Sequence, residues 1–304
     1  MDLREQSYVL AIAKYGGIKP AAQELHISPP TLSVFLTNLE HNTGIRLFDR
    51  LGKRFVPTDA GELYIHTATA MMNLKKNYET KLDDLKNGVT GTIYFGIHPR
   101  RTLHYLPAVL KDFSAAYPNV QIVTCEEVSD IAFSMLLKGS LDFIITNRAN
   151  RDPALLYTPF YQDRLVVVLP SDHPLAREAT LLPGQAIPWI DLALFQHERM
   201  ILQQPEQSSR KYTEKALSYA HITPRQSFIV SNLETAAQMA AEGLGISFNF
   251  EQYIRYFSYE KPIRYFYVGD PRETISYYIV CRKDKYLSSY TQAFIETLKA
   301  HLRV

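Results

Sequence analysis

The sequence predicts a multidomain chain. Its parts are an all-α helix-turn-helix with a β-hairpin wing, one long linker helix, and a larger α/β region of two lobes. Three observations predict it. Short apolar-periodic segments punctuated by Gly and Pro fill residues 1–58, and a proline-free run with a narrow apolar stripe continues to about Asn87. From Gly91 onward, strand-like and helix-like segments alternate. A chain of 304 residues, 46% hydrophobic and 21% charged, is long enough for two or three compact units.

In the first segment Val9, Ile12 and Ala13 recur at helical spacing, and Gly16-Gly17 stop that helix. Pro20 opens a second helix, PAAQELH, at a first-turn position that tolerates proline. After a tight turn at His26-Ile27, Ser28 is a good N-cap and Pro29 a good first residue for a third helix, which Gly44 ends. Leu32, Leu36 and Leu39 give that helix one apolar face, bordered by Phe35. LFDRLGKRFVPT then reads as two brief strands around Leu51-Gly52-Lys53. The third helix carries no charge before Glu40, yet Arg46, Arg50, Lys53 and Arg54 follow it closely with only Asp49 against them. A slim polar face beside a basic wing suits nucleic acid, with the wing supplying phosphate contacts and the helix supplying base contacts. Many small helical domains contain the same helix pair without touching DNA; the basic wing tips the balance. The net charge of +2 gives no global signal, so the site is local.

Thr58 caps the long helix, and Met71, Leu74, Tyr78, Leu82 and Leu85 form its seam. Such a stripe needs a partner: a second copy of the chain, or the rest of its own domain. Beyond Gly91 the strands TIYFGI, NVQIVTCEE, LDFIITN, RLVVVLP, MILQ, SFIVS and GISF alternate with helices. RYFYVG, TISYYIVCR and a last helix then return the chain. Repeated βα units argue mainly parallel sheets, and two runs plus the return argue two lobes crossed near 161–166 and 264–268. A small ligand belongs in the cleft between such lobes. The turns after the strands carry His98, Arg100, Arg101, Thr102, Ser129, Thr146, Asn147, Gln203, Gln204, Ser231 and Asn232, with Phe248 on a strand. These hydroxyls, amides and arginines suit a polar or anionic molecule, although Ser, Thr and Asn also cap helices with no ligand.

Other chemistries find little support. No G-x-S-x-G, H-E-x-x-H, C-x-x-C or Walker sequence is present, and the nine histidines show no metal-ligand spacing, so no catalytic residue, metal or cofactor is expected. Cys125 and Cys281 stand alone, which excludes a disulfide scaffold and fits a reducing compartment; two buried strand cysteines outweigh a redox switch. The first residues do not read as a signal peptide and no segment is long and apolar enough to span a bilayer, so a cytoplasmic protein without membrane association is expected.

The segment AAQELHISPPTLSVFLTNLEHNTGIRLFDRLGKRFVPTDAGELY resembles the DNA-binding signature of LysR-type bacterial transcriptional regulators. The matching pieces are AA-x-x-L-H-I-S, P-T-L-S, the L-E pair, T-G-I-R-L-F-D-R and P-T-D-A-G. GTIYFGI, LPAVLKDFSAAYPNVQI, LLKGSLDFIIT, LVVVLPSDHPLA and AAEGLGISF stand where that family places its effector domain. The resemblance implies a winged helix-turn-helix over 1–58, a dimerising linker over 59–90, and a two-lobed periplasmic-binding-protein-like effector domain over 91–304. Its lobes would be 91–163 with 267–304, and 164–266. It further implies a homotetramer, double-stranded DNA and a small-molecule effector as partners, and RNA polymerase as an additional one. By position Pro30, Thr31 and Ser33 would face bases, while Arg50, Lys53 and Arg54 would serve the backbone or minor groove. The chain departs from the family at Pro29, commonly glutamine, at Val34, often arginine, and at Lys19, usually a Ser or Thr cap. Readout then shifts to thymine methyls through Pro30, Thr31 and Val34, with Ser33, Thr37 and Asn38 adding short hydrogen bonds. A solute-binding protein with an added helical domain is the runner-up reading, and an enzyme the third.

Overall fold

The computed structural model describes residues 3–52, 54–85, 89–127, 129–148, 152–256 and 258–302. The N-terminal helices are α1 (Leu3–Tyr15), α2 (Ile18–Glu24) and α3 (Pro29–Thr43). The hairpin is β1 (Phe48–Leu51) with β2 (Arg54–Pro57), paired antiparallel with Leu51 opposite Arg54. Local rules set the ends of α3: Ser28 Oγ accepts from the Thr31 amide at 3.2 Å, and Gly44 closes the helix at φ 70, a left-handed conformation that favours glycine. α2 begins at Ile18, two residues before the start that Pro20 suggests. Proline sits at its third position, where the helix has no partner for an amide anyway. Val9, Ile12, Ala21, Ala22, Leu32, Leu36, Leu47 and Phe48 form one core beneath these elements.

The carboxylate of Glu40 ties the wing to α3, accepting from the amides of Leu47 at 2.8 Å and Phe48 at 3.1 Å. Truncation to Ala strands both amides. We expect Glu40→Ala to lower stability by about 1–3 kcal/mol, readable by thermal melting; an unchanged melting temperature would show that water replaces the carboxylate.

α4 (Asp59–Leu85) follows, with Thr58 Oγ1 accepting from the Gly61 amide at 3.0 Å. A β-carbon on Gly61 would run into the carbonyl of Leu47, so only glycine lets this helix sit against the wing. Its N-terminal half buries Ala68 and packs Ala60, Tyr64 and Ile65 on the N-terminal core, while its C-terminal half is polar where it is buried. Lys76 Nζ donates to the Gly139 carbonyl at 3.3 Å, and Asn77 donates to the Asp284 carbonyl at 2.6 Å while accepting from the Tyr286 amide. Asp84 accepts from the Tyr286 and Ser289 hydroxyls. Its apolar residues Leu63, Leu74, Tyr78 and Leu85 are exposed, Leu74 by 63% and Leu85 by 76%. In the C-terminal half that distribution inverts the ordinary surface helix.

The α/β region runs β3 (Gly91–Ile97), α5 (Pro99–Ala116), β4 (Val120–Cys125), α6 (Ser129–Leu137), β5 (Phe143–Thr146) and β6 (Leu155–Asp163). It continues with β7 (Leu165–Pro170), β8 (Met200–Leu202), α7 (Ser208–Tyr219), β9 (Ser227–Ile229) and α8 (Leu233–Ala241). β10 (Ile246–Phe250), β11 (Ile263–Tyr267), β12 (Ile275–Arg282) and α9 (Ser289–Leu302) complete it. Two five-stranded sheets result, ordered β11-β7-β10-β8-β9 and β4-β3-β5-β12-β6. β3 with β4, β8 with β9 and β10 with β8 pair in parallel, as alternating βα units require. β7 is antiparallel to both β10 and β11, so this sheet is mixed rather than mainly parallel. The reason lies in connectivity: β7 follows β6 after Arg164 alone, and β11 follows β10 with only a short 3-10 turn between them among the described residues, so neither arrives through a βα unit of this sheet. α5 begins at Pro99, ahead of the LPAVLKDFSAAY segment expected to form it, and accommodates Pro107 in its interior.

Contacts divide the chain into two compact units. One holds the residues up to Gly96, Leu110–Ile144 and Cys281–Thr297; the other holds Ile97–Val109, Ile145–Val280 and the residues from Leu298 onward. The larger core of the second unit gathers Val167, Leu169, Met200, Leu202, Phe248, Phe250, Phe266 and Tyr277. Among the described residues no helix is long and apolar enough to cross a membrane.

Candidate functional site

Burial splits α3 cleanly. Leu32 and Leu36 enter the core, and Pro30, Thr31, Val34, Thr37 and Asn38 are exposed on the far side, with Ser33 at the margin. Positions 30, 31, 34, 37 and 38 share one helical face, so the residues expected to meet base edges do lie together. Val34 is 59% exposed, an apolar side chain that the domain itself leaves in solvent. The Thr37 hydroxyl donates back to the Ser33 carbonyl at 3.0 Å, which commits its proton and turns it into an acceptor for an outside partner. Thr31 shares a 2.7 Å hydrogen bond with the Ser28 cap.

Arg50 on β1 and Arg54 on β2 are exposed, and the Arg50 guanidinium lies 5.2 Å from the Phe55 ring centre, which limits its wandering. Lys53 falls outside the described residues. Glu40 is a member of this site that sequence reasoning does not single out. A signal for it exists, since a lone acid in an otherwise uncharged helix suggests an internal partner.

The second group of candidate residues lies almost wholly in the second unit. His98 precedes α5, and its Nδ1 accepts from the Arg100 amide at 3.4 Å. Burial, followed by the charges of Arg101 and Arg100, pushes the imidazole down to about 4, so it is neutral near pH 7. Arg100 is paired with Glu234 at 3.2 Å and lies over Tyr253, 4.3 Å from its ring centre. Arg101 is buried over Tyr277, and with Tyr105, Tyr161 and Gln252 it lines a cavity of about 10 Å³, room for a single water. Thr102 turns back on the His98 carbonyl.

Thr146 accepts from the Arg148 amide, and the Asn147 carbonyl accepts from the Tyr212 hydroxyl at 3.4 Å. Gln207, outside the set expected from sequence, joins two of the candidate turns: its side-chain carbonyl accepts from the Gln204 amide and its side-chain amide donates to the Ser231 carbonyl. Asn232 caps α8 by accepting from the amides of Glu234 and Thr235. Gln203 is fully buried at the end of β8. Phe248 packs in the core at 1% exposure, because strand alternation turns it to the Met200 and Leu202 side; its role is packing. Ser129 opens α6 in the other unit. Thus 98–102, 146–147, 203–204 and 231–232 share one unit, while Ser129 belongs to the other.

One buried acid beside this group is electrostatically unusual. Asp163 Oδ1 accepts from the amides of Arg164 at 2.8 Å and Gln252 at 3.2 Å, while Oδ2 has no hydrogen-bond partner among the described residues. Burial pushes its carboxyl up to about 7, against the opposing pull of those two amides and Arg101. A carboxyl raised in the folded state holds its proton there after the unfolded chain has lost it. Its contribution is therefore most favourable below the unfolded pKa near 4 and is lost as pH rises through about 7. Asp163→Asn keeps the accepting oxygen and mimics the protonated form. It should stabilise the fold at pH 8 by on the order of 4 kcal/mol, read as a higher melting temperature, and change little at pH 4.5. A lower melting temperature at pH 8 would mean that the carboxylate is held by charge pairing instead.

Comparison with known proteins places both parts of the chain. Residues 3–62 match the bacterial regulatory helix-turn-helix protein, lysR family, and residues 86–303 match the LysR substrate binding domain. The RuBisCO operon transcriptional regulator of Allochromatium vinosum is 27% identical over 248 residues, 81% of this chain and 78% of that protein. A full-length OxyR variant of Pseudomonas aeruginosa superposes with a TM-score of 0.74 at 23% identity, covering 100% of this chain and 95% of that one. Full-length CbnR complexed with its target DNA gives a TM-score of 0.60 at 18% identity, covering 99% and 100%. At these identities the two structures speak for the fold. The matched families are transcriptional regulators, not enzymes.

Proposed function

The chain belongs to the LysR family of DNA-binding transcriptional regulators, each with an effector-binding domain, and from that premise we propose three finer properties. It reads its operator through the exposed face of α3 with the wing arginines on the backbone. It acts as a homo-oligomer paired through α4, dimeric at least and assembled towards a tetramer. A polar small molecule held in its α/β domain modulates DNA binding, and through it transcription by RNA polymerase.

The observation that carries the reading is the opposite disposition of α3. Leu32 and Leu36 are buried, while Pro30, Thr31, Val34, Thr37 and Asn38 face solvent, and Arg50 and Arg54 are exposed on the hairpin of the same domain. Methyl and hydroxyl groups without charge on the reading face, and charge on the wing, separate base contact from phosphate contact. For the effector, the pairing of Arg100 with Glu234 favours a polar molecule over a simple anion, since that guanidinium already has its counter-charge. For pairing, the exposed stripe on α4 supplies the apolar surface that a second copy covers.

Footprinting on DNA flanking the chain's own gene tests the reading. The expected result is a protected site with affinity falling linearly in log salt. Protection that ignores sequence, or none at nearby promoters, sinks it.

A further inference from the structure

β10 pairs in parallel with β8, with Ser247 beside Ile201, and antiparallel with β7, with Asn249 beside Val166. Alternation sends Ile246, Phe248 and Phe250 into the large core together with Met200 and Leu202. Ser247, Asn249 and Ile201 therefore take the other face, and Gln203, two residues beyond Ile201, follows them. There Ile201 and Val168 pack with Ala236, Ala237 and Ala240 of α8. This apolar face ends in a polar row. Gln203 and Ser247 are 0% exposed and Asn249 is 1% exposed.

The row is not satisfied internally. Both amide atoms of Gln203, the Ser247 hydroxyl and Asn249 Nδ2 have no hydrogen-bond partner among the described residues. Asn249 Oδ1 alone is engaged, accepting from the Phe250 amide at 2.9 Å. Leaving a buried polar atom unmade costs more than a made hydrogen bond contributes, so four together at one place call for a partner. Their place is informative as well. Gln203 and Asn249 stand at the carboxyl ends of adjacent parallel strands, where α/β folds receive ligands.

We infer that Gln203, Ser247 and Asn249 recognise an uncharged group that both donates and accepts hydrogen bonds, a hydroxyl or a carboxamide, on the effector. This rests on the regulator reading above and names the chemistry of its effector. The donor and acceptor inventory carries the choice. Asn249 Nδ2 and Gln203 Nε2 donate, Gln203 Oε1 accepts, and Ser247 does either. A carboxylate or phosphate would satisfy the donors and oppose Gln203 Oε1; an ammonium would do the reverse. No charged side chain belongs to the row, and Arg100 is paired with Glu234. Because the three side chains are fully buried, the site opens before it fills, which links occupancy to conformation.

The test uses the full-length chain, with D-glucose and nicotinamide as uncharged probes and succinate and inorganic phosphate as anionic ones. Thermal melting and operator affinity are read for each. The expected result is a rise of about 3 °C with D-glucose or nicotinamide, and a change in operator affinity of about fivefold or more. Neither anion should act. Asn249→Leu should lose the response, and it should also melt lower without probe because it strands the Phe250 amide. Should that variant fail to fold, Ser247→Ala is read the same way. The inference is overturned if only succinate or phosphate acts, if no probe acts, or if the response survives Asn249→Leu or Ser247→Ala. Footprinting without any probe tests the regulator reading separately, so a protein that binds its operator but answers only to anions disproves the effector chemistry alone.

Discussion

Replacing Arg50 and Arg54 together by Ala weakens binding to every DNA sequence by about 10–100-fold at physiological salt, and flattens the slope of log affinity against log salt by about two. Both side chains are exposed on the hairpin, and they are charges in a domain whose helix α3 has none before Glu40. A phosphate that no arginine neutralises keeps its counterion, hence the change in slope rather than in base preference. The partner substitution behaves differently. Val34→Ala removes methyl groups from the exposed face of α3 and should cost about 1–3 kcal/mol only at sites presenting thymine there. Filter binding across a salt series, with the operator and point-mutated operators, separates the two. A sequence-dependent loss from the arginine pair, or a uniform loss from Val34→Ala, would refute the division of labour between wing and helix.

Much of the geometry behind that expectation is legible in the chain because it rests on local rules. The Ser28 cap and the Gly44 stop need only their neighbours, so the limits of α3 follow from a few residues. The hairpin around Gly52 is equally local. What escapes a linear reading depends on partners far along the chain. Glu40 holds amides seven and eight residues away across a turn, and Arg100 meets Glu234 more than a hundred residues on. The hydrogen-bonding turns are recognisable as a set, but whether their polar groups find partners is not. Only the sheet register shows Ser247 and Asn249 turned towards Gln203 while Phe248 turns to the core. A strand read alone leaves the choice of face open, since shifting register by one residue exchanges every side chain.

The second large effect belongs to α4. Leu74→Lys with Tyr78→Lys should reduce the proposed oligomer to monomers at micromolar concentration and lower operator affinity by about 100-fold or more. Folding of the monomer should be spared. The reason is that around the substituted positions this helix holds to its own unit by polar contacts of Lys76, Asn77 and Asp84, which the substitutions leave in place. On the other side Leu63, Leu74, Tyr78 and Leu85 recur at spacings of four, seven and eleven residues along one stripe, and all are exposed. Burying a leucine is worth about 1.5–3 kcal/mol, and a two-fold pairing counts each position twice. Four lysines in place of that surface both remove the apolar gain and add like-charge repulsion. A dimer presents two reading helices joined at high effective concentration, and a monomer must hold each half-site alone. Sedimentation equilibrium and footprinting on the same samples decide the matter. A variant that remains oligomeric and protects the full operator would move the pairing surface away from α4; a monomer with undiminished affinity would show that pairing adds nothing to DNA recognition.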